Sequence, residues 1–219
     1  EVTDLVDFKQ PEISDTDLKA PIYIDFGPTS LSATPWNNIT SHQESSTTSW
    51  IKDVENNYTN IGVRVLDGFT ATHAGVGSEP ASPVTVDGVE FPLTAWKDGL
   101  LVKGEKNQGD VGPGRIEISQ LDVARKYNFT ILAIRFNGSK DARISSYKLV
   151  GKTESAVKEV KTGIKDAASF AAANFEEYIA KFENVEPDSE GKVIVEVKGL
   201  DTGSAAEGHI NALCISLAK

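Results

Sequence analysis

The stretch that decides the fold is ISQLDVARKYNFTILAIRFNGSKDARISSYKLVG, residues 118–151. Apolar and polar side chains alternate through YNFTILAIRF, residues 127–136, and again through RISSYKLVG, residues 143–151. A period of two is typical of a strand that buries one of its faces. The segment between the two runs has the Asn, Gly, Ser and Asp content of a turn. We therefore predict two strands joined by a polar turn.

Runs of the same kind occur along most of the chain, and clusters of Asp, Asn, Gly and Pro separate them. The other runs are IYIDF, NIGVRVLDGF, PVTVDGVEF, GLLVKG, RIEISQL, KVIVEVKGL and HINALCISL. About nine short strands without regular alternation of strand and helix predict an all-β protein, an antiparallel β-sandwich.

One segment favours a helix instead. KDAASFAAANFEEYIAKF, residues 165–182, is rich in alanine, and Asp166 is placed to cap a helix N-terminus. Tyr178, Ala180 and Phe182 alternate and lead into a hairpin sequence. We predict one short helical connection that ends near Asn174, followed by a strand.

The composition fits one large acidic domain. The chain has 219 residues and a net charge of −10, and it lacks a basic stripe that would neutralise phosphates, so nucleic acid is not an expected partner. Cys214 is the only cysteine, and alternation points it into a core. No apolar run approaches the ~20 residues of a membrane span. We divide the chain into an acidic N-terminal tether, residues 1–20, and a single β-sandwich domain, residues 21–219.

Motifs for catalysis are not recognisable in the sequence. His42, His73 and His209 do not have the spacing of a zinc site, and no serine–histidine–acid grouping is legible. The sequence leaves open whether two carboxylates form a catalytic pair of the glycosidase type, because 32 acidic residues allow many accidental pairs. We expect that the chain is not an enzyme.

Leu121 and Tyr127 have the spacing of a tyrosine corner, in which a phenol bonds to upstream backbone and fixes a crossing between sheets. In the strands that follow, Arg143 and Tyr147 are candidates to reach a concave face and contact a ligand. An equally good alternative is that Arg143 stacks on the sheet or pairs with an acid there.

The tryptophans are the aromatic candidates for binding. Sugars present apolar C–H faces, so a sugar site needs an aromatic plate with amide or carboxylate groups beside it. Trp36 with Asn37 and Asn38 has this chemistry, and Pro28 and Pro35 are expected to take the chain out of the sheet and place Trp36 in a loop.

The other two tryptophans are also ligand candidates. Trp50 lies in a polar stretch with no obvious partner to bury it, whereas Trp96 has apolar neighbours that favour a core or rim position. For all three tryptophans, simple packing is the alternative to binding.

Several blocks together resemble a family of galactose-binding-like jelly-roll domains in secreted proteins of polysaccharide-degrading bacteria. The blocks are YIDFGPTSLSATPWNNIT, FPLTAWKDGLLV, residues 118–151, FENVEPDSEGKVIVEV and GHINALCISL. The alanine-rich segment 166–174 and the acidic tether depart from the pattern. The resemblance implies a carbohydrate-binding-module-like jelly roll, which is non-catalytic and often accompanies hydrolase or surface-protein domains.

The resemblance also implies that a structural calcium is common in the wider superfamily. Asp25, backbone carbonyls of residues 28–40 and Asn211 are the candidate ligands here. No cofactor is otherwise expected.

We expect a carbohydrate-binding or glycan-adhesion module whose partner is a polysaccharide or oligosaccharide. One alternative is a structural or protein-interaction β-sandwich without a sugar ligand, and a second is an accessory domain of a glycoside hydrolase or esterase. The chain begins at Glu1 and contains no methionine, so we expect that a natural N-terminal segment has been removed. The expected location is secreted, periplasmic or on the outer cell surface, with a lipid anchor on the removed segment as one option.

Overall fold

Short β-strands make up most of residues 18–103, 111–136, 143–200 and 206–219, the parts of the chain that the computed structural model describes. The first strands are β1 (Ile22–Phe26), β2 (Trp36–Ile39), β3 (Thr47–Thr48), β4 (Gly62–Asp67), β5 (Ala71–His73), β6 (Val84–Val86), β7 (Val89–Phe91), β8 (Gly99–Lys103) and β9 (Val111–Ser119). The later strands are β10 (Tyr127–Leu132), β11 (Arg135–Phe136), β12 (Ile144–Val150), β13 (Lys158–Lys161), β14 (Gly163–Ile164), β15 (Ile179–Val185), β16 (Val193–Gly199), β17 (Glu207–Ile210) and β18 (Ala212–Leu217). The helical elements are α1 (Leu93–Lys97), α2 (Ala167–Ala171) and a 3₁₀ helix (Phe175–Tyr178). Among these, no helix has the length and apolar character that crossing a membrane requires.

Two large sheets form the sandwich. Sheet 1 has the strand order β15-β10-β18-β1-β2, and sheet 2 has the order β13-β12-β16-β9-β4-β3. A smaller sheet 3 contains β17-β8-β5, and β6 pairs with β7 as a hairpin. Most neighbours are antiparallel, while β1 with β2 and β11 with β14 are parallel. The predicted all-β sandwich is confirmed.

The main core lies between sheets 1 and 2, because alternate side chains of their strands turn inward. The residues that sheet 1 contributes include Ile22, Ile24, Phe26, Phe129, Ile131, Ala180, Phe182, Leu213 and Ile215. Sheet 2 contributes Val63, Val65, Ile116, Ile118, Tyr147, Leu149, Val193, Val195 and Val197. Burial of such side chains removes apolar area from water at about 25 cal/mol per Å², which is the main stabilising contribution to the sandwich.

A second core covers part of the outer face of sheet 1. The hairpin β6–β7, α1, α2 and the 3₁₀ helix contribute Val84, Phe91, Trp96, Phe170 and Tyr178, which pack on Leu132, Ala212 and Cys214 of the sheet. The indole of Trp96 stacks on the ring of Phe170, with centroids 5.0 Å apart. This cap leaves the rest of the outer face open.

The predicted helical connection is confirmed as α2, where the Asp166 side chain accepts a hydrogen bond from the Ser169 N–H. Strand β15 then begins at Ile179, after the 3₁₀ helix. The sequence did not predict α1. The tyrosine corner is confirmed, because the Tyr127 Oη accepts a hydrogen bond of 2.9 Å from the Asp122 N–H.

The prediction that Trp36 lies in a loop is wrong. Trp36 begins β2, an edge strand parallel to β1. Pro28 and Pro35 do flank an excursion from the sheet, but Pro35 immediately precedes β2, where its missing N–H removes no ladder hydrogen bond. The chain can therefore return to the sheet at once.

The packed part of the chain includes Leu18 and Ala20, and the side chain of Leu18 joins the main core, before the boundary predicted at Pro21. The remainder of the predicted tether lies outside the described residues. So does the polar turn predicted between β11 and β12.

Candidate functional site

One row of side chains crosses the whole outer face of sheet 1. The strand register places Trp36 opposite Tyr23, Tyr23 opposite Cys214, Cys214 opposite Thr130, and Thr130 opposite Lys181. The row therefore has two large aromatic side chains at one end, two small ones in the middle and a long cationic one at the other end. Small residues between large ones leave a depression over the middle strands.

A groove of about 240 Å³ lies over this row from Tyr23 to Lys181, and Trp36 lies beside Tyr23 outside its lining. Its lining includes Tyr23, Asn128, Thr130, Lys181 and Ser216 from the sheet, with Asp87 and Val89 from the β6–β7 hairpin. Hydroxyl, amide, carboxylate and ammonium groups thus surround a floor of small side chains. We call this site the sheet-1 groove.

The aromatic end of the row is partly open to solvent. Trp36 and Tyr23 are both half-buried, and their ring centroids lie 5.1 Å apart with planes inclined at 38°. Trp36 also packs on Phe91, at 5.7 Å between centroids, which links it to the second core. Burial raises the pKa of the Tyr23 phenol, so it stays a neutral hydrogen-bonding group at neutral pH.

The wall of the groove opposite Tyr23 contains Lys181, which forms ion pairs. Lys181 pairs with Asp87 in the turn of the hairpin and with Glu176 at 2.7 Å. Burial lowers the pKa of Lys181, but the hydrogen bonds to Asp87 and Glu176 outweigh that effect and raise it, so the ammonium stays charged. This contact ties the cap to the sheet at the groove's edge.

Cys214 lies on the groove floor as a buried thiol. Burial raises the pKa of this thiol far above its usual range, so the thiolate is not populated at neutral pH. Its predicted role as a small buried hydrophobe is confirmed.

The amides of Asn37 and Asn38 are occupied by backbone. The Asn37 Nδ2 donates to the carbonyls of Tyr23 (2.9 Å) and Lys52 (2.8 Å), and its Oδ1 accepts from the Lys52 N–H at 2.8 Å. Asn38 accepts from the Ser32 N–H at 2.8 Å and donates to the Ser32 carbonyl at 3.0 Å. These side chains fasten two neighbouring loops to β2, and in that role they position Trp36.

The other two tryptophans lie apart from this row. Trp50 is half-buried in a turn with φ +52° and does not line the groove. Trp96 is completely buried, and its Nε1 donates to the Ser82 carbonyl at 3.3 Å. Its indole therefore has no exposed face to offer a ligand.

Arg143 and Tyr147 face the interior of the molecule. Arg143 is buried and forms an ion pair with Glu207, the alternative that the sequence left open. Tyr147 is buried in the main core, and its hydroxyl donates to the His209 carbonyl. Burial raises the pKa of this phenol well beyond its ordinary value. Neither side chain lies on an open sheet face.

The residues predicted to hold calcium lie beneath the loop that joins β1 and β2. Asp25 is completely buried, and its Oδ2 accepts from the Ser32 N–H at 3.0 Å. Asn211 is also buried, but its Oδ1 accepts from the Ile134 N–H at 2.7 Å and its Nδ2 donates to the carbonyls of Trp96 and Asp98. The Asn211 side chain is thus committed to backbone partners.

Asp98 replaces Asn211 as the second candidate ligand. Its Oδ2 accepts from the Thr29 and Ser30 N–H groups, and the carboxyl lies against Gly27, where an added Cβ would come within 2.5 Å of it. The Oδ1 atoms of Asp25 and Asp98 are both buried without a hydrogen-bond partner in the described structure. Two such carboxylate oxygens fit a hard cation in their chemistry.

The pKa values of both carboxyl groups are raised. Burial raises the pKa of Asp25 to about 7, and the charge of Asp98 adds to that rise, while the hydrogen bond from Ser32 opposes it. Burial likewise raises the pKa of Asp98, against the opposing Thr29 and Ser30 hydrogen bonds. No cluster of three or more His, Cys, Asp or Glu side chains suited to a metal occurs among the described residues.

A larger depression, about 540 Å³, lies on sheet 2. Its lining combines Lys148, Lys198, Glu159 and Glu196 with aliphatic side chains. Lys148 bonds to Glu196 at 3.2 Å, so much of this charge is already paired. The only aromatic residue in the lining, Tyr147, is buried and therefore offers no exposed plate for a sugar ring.

The sequence prediction missed Tyr23, Thr130, Lys181 and Asp98 as site residues. Tyr23 carried a usable signal, because it is the outward aromatic residue of the alternating run IYIDF. Thr130 and Lys181 become neighbours of Tyr23 and Cys214 only through the strand register, which joins residues far apart in sequence.

Comparison with solved structures finds a similar fold in the crystal structure of the ANX2 ectodomain from Arabidopsis thaliana. The TM-score is 0.52 with 7% sequence identity, over 90% of this chain and 49% of that ectodomain. This chain therefore spans about half of the ANX2 ectodomain. A weaker match, with a TM-score of 0.34 and 13% identity, covers 55% of this chain and 71% of TmCBM61, whose structure contains beta-1,4-galactotriose. No family model matches the sequence, and no curated protein matches it.

Proposed function

We propose that this chain is a non-catalytic carbohydrate-binding module and that the sheet-1 groove holds an oligosaccharide. The observation that carries the proposal is the half-buried pair Tyr23 and Trp36, of which Tyr23 lines the edge of a groove rich in polar side chains and Trp36 packs beside it. Aromatic faces pack on the C–H faces of sugar rings, and polar groups around them bond to hydroxyls. The sequence resemblance to galactose-binding-like jelly rolls supports the same function.

The groove offers both hydrogen-bond donors and hydrogen-bond acceptors. Thr130 and Ser216 supply hydroxyls, Asn128 supplies an amide and Lys181 supplies an ammonium group. Lys181 already shares its charge with Asp87 and Glu176, and Glu183 adds a further carboxylate to the lining, so the groove suits neutral hydroxyls better than anionic groups. With a volume of about 240 Å³, the groove suits one or two sugar units of a longer chain.

The proposal includes a location outside the cytoplasm, secreted, periplasmic or on the outer surface, which the family resemblance supports. Companion hydrolase or surface-protein domains belong to the same proposal. A calcium ion held by Asp25 and Asp98 would supply charge balance for two buried carboxylates and fix the loop before Trp36.

A glycan array of plant and host polysaccharides, followed by calorimetry on the best ligand, tests the function. We expect binding to at least one glycan and weaker binding by Tyr23→Ala. Tyr58→Ala is the matched control, because Tyr58 is an exposed tyrosine outside the groove lining. The absence of binding to any glycan on the array and in calorimetry would overturn the proposal and favour a structural or protein-interaction role.

A further inference from the structure

A buried polar cluster lies at the ends of several strands, away from the sheet-1 groove. It contains Arg135 of β11, Arg143 just before β12, Thr162 between β13 and β14, and Glu207 and His209 of β17. Arg143, Thr162, Glu207 and His209 are each less than a tenth exposed. None of these residues lines the sheet-1 groove.

Backbone hydrogen bonds hold three of these residues side by side. The Arg135 N–H donates to the Thr162 carbonyl at 2.6 Å, and the Thr162 N–H donates to the Arg143 carbonyl at 2.9 Å. His209 is fixed in turn, because its N–H donates to the Ser145 Oγ at 3.0 Å, two residues beyond Arg143. The side chains of the cluster therefore start from rigid, neighbouring positions.

The cluster carries excess positive charge. Glu207 is its one carboxylate, and Glu207 pairs with Arg143. The guanidinium of Arg135 instead donates to the Ala74 carbonyl at 3.1 Å and approaches the His73 Nδ1 at 3.4 Å. Burial lowers the pKa of His209 to about 4 despite the opposing influence of Glu207, so its ring is neutral at neutral pH. Two guanidiniums thus face Glu207, while the charge of Glu79 also acts on Arg135 from outside the cluster, where the Val76 and Gly77 N–H groups bind its carboxylate.

Several polar atoms of the cluster have no hydrogen-bond partner within the described ranges. They are the Nε atoms of Arg135 and Arg143 and the hydroxyl of Thr162. The guanidinium Nε–H groups can only donate and a threonine hydroxyl can donate, whereas His209 directs its Nε2 to the Glu207 carboxylate at 3.5 Å. Buried donors without acceptors are costly and rare in folded proteins. Excess positive charge beside such donors is the environment that an anion would satisfy.

We propose that Arg135, Arg143 and Thr162 form a buried binding site for a small monovalent anion, either a halide or a carboxylate. The anion balances the charge of the second guanidinium and accepts hydrogen bonds from the N–H and O–H groups that protein atoms leave free. A small ion is required because Arg143 and Thr162 are buried beyond the reach of a polymer. Since it joins β11, the segment before β12 and the segment after β13, the anion stabilises the fold and does not depend on sugar binding.

Thermal unfolding at constant ionic strength tests the proposal. Sodium gluconate, whose anion is bulky, is replaced stepwise by sodium chloride in one arm and by sodium acetate in the other. We expect Tm to rise and then saturate in at least one arm, because a ligand that binds only the folded state stabilises it by mass action. The arm that responds distinguishes a halide from a carboxylate.

Thr162→Val tests the residue assignment, since it removes the buried hydroxyl with little change in volume. Its Tm should respond several-fold less to the active anion, whereas Thr85→Val, on an exposed position of β6, should respond as the wild type does. An equal response in all three proteins would contradict the assignment.

A crystal of the wild-type protein soaked in sodium bromide gives a readout that does not depend on any variant. We expect an anomalous peak within hydrogen-bond distance of the Arg135 and Arg143 Nε atoms. Peaks confined to the surface, together with Tm values that are identical in gluconate, chloride and acetate, would overturn the proposal.

Discussion

Tyr23 and Trp36 lie side by side on parallel strands, with ring centroids 5.1 Å apart, and Tyr23 lines the edge of the sheet-1 groove. Trp36 is supported from the other side by Phe91. A rigid, half-buried aromatic pair loses little conformational entropy when a ligand packs on it.

Tyr23→Ala should weaken binding of the ligand found on the array by roughly tenfold, about 1.4 kcal/mol, because it removes aromatic surface from the groove's edge. Tyr23→Phe keeps the ring and should retain most of the affinity. Calorimetry on the three proteins measures both effects. Equal affinity for wild type and Tyr23→Ala would place the ligand elsewhere.

Asn37 should matter for stability, because its side chain makes three hydrogen bonds to backbone. Asn37→Ala should lower the free energy of unfolding by about 1 to 3 kcal/mol, since it leaves partly buried amide groups unpaired. Asn37→Asp should be at least as harmful, because a carboxylate would face the carbonyls of Tyr23 and Lys52. Urea unfolding followed by circular dichroism measures both losses, and an unchanged midpoint for either variant would contradict this structural role.

Asp25 should make stability depend on pH in the acidic to neutral range. Its pKa in the folded protein is about 7, above its value in the unfolded chain, so the folded state binds more protons between about pH 4 and pH 7. Metal-free protein should therefore lose stability as pH rises through this window, by up to about 1.4 kcal/mol per pH unit. Unfolding free energies measured from pH 4 to pH 8 should fall for wild type and stay flatter for Asp25→Asn. Parallel curves for the two proteins would show that Asp25 does not titrate in this way.

Calcium should reverse that loss if Asp25 and Asp98 hold it. At pH 8, where both carboxylates are ionised, added calcium should raise Tm, and a chelator should return Tm to its starting value. Asp98→Asn still offers an oxygen to the Thr29 and Ser30 N–H groups but removes one charge, so it should respond much less. An unchanged wild-type Tm after addition of calcium at pH 8 would rule out a calcium ion at Asp25 and Asp98.

The sandwich was predictable because strand alternation is a local property. The run IYIDF places Ile22 and Ile24 inward and Tyr23 outward by its period alone, and the spacing of Leu121 and Tyr127 anticipates the bond to Asp122. A cap such as Asp166 likewise acts over one helical turn. These features need no knowledge of the remote chain.

The site was harder to predict because it depends on register and on competition for hydrogen bonds. Trp36, Cys214 and Lys181 share a row only because four separate strand pairings align them. The amides of Asn37 and Asn38 look available in sequence, but loop carbonyls and N–H groups occupy them in the fold. Arg143 and Trp96 are ligand candidates in the sequence with packing or ion pairing as the alternative, and the fold buries both side chains.

The most direct test of carbohydrate binding at this groove is a two-dimensional NMR titration of the wild-type protein with the best array ligand. We expect saturable shift changes centred on the row of Trp36, Tyr23, Cys214, Thr130 and Lys181. Changes centred instead on Lys148 and Lys198, in the sheet-2 depression, would contradict the assignment of the sheet-1 groove as the binding site.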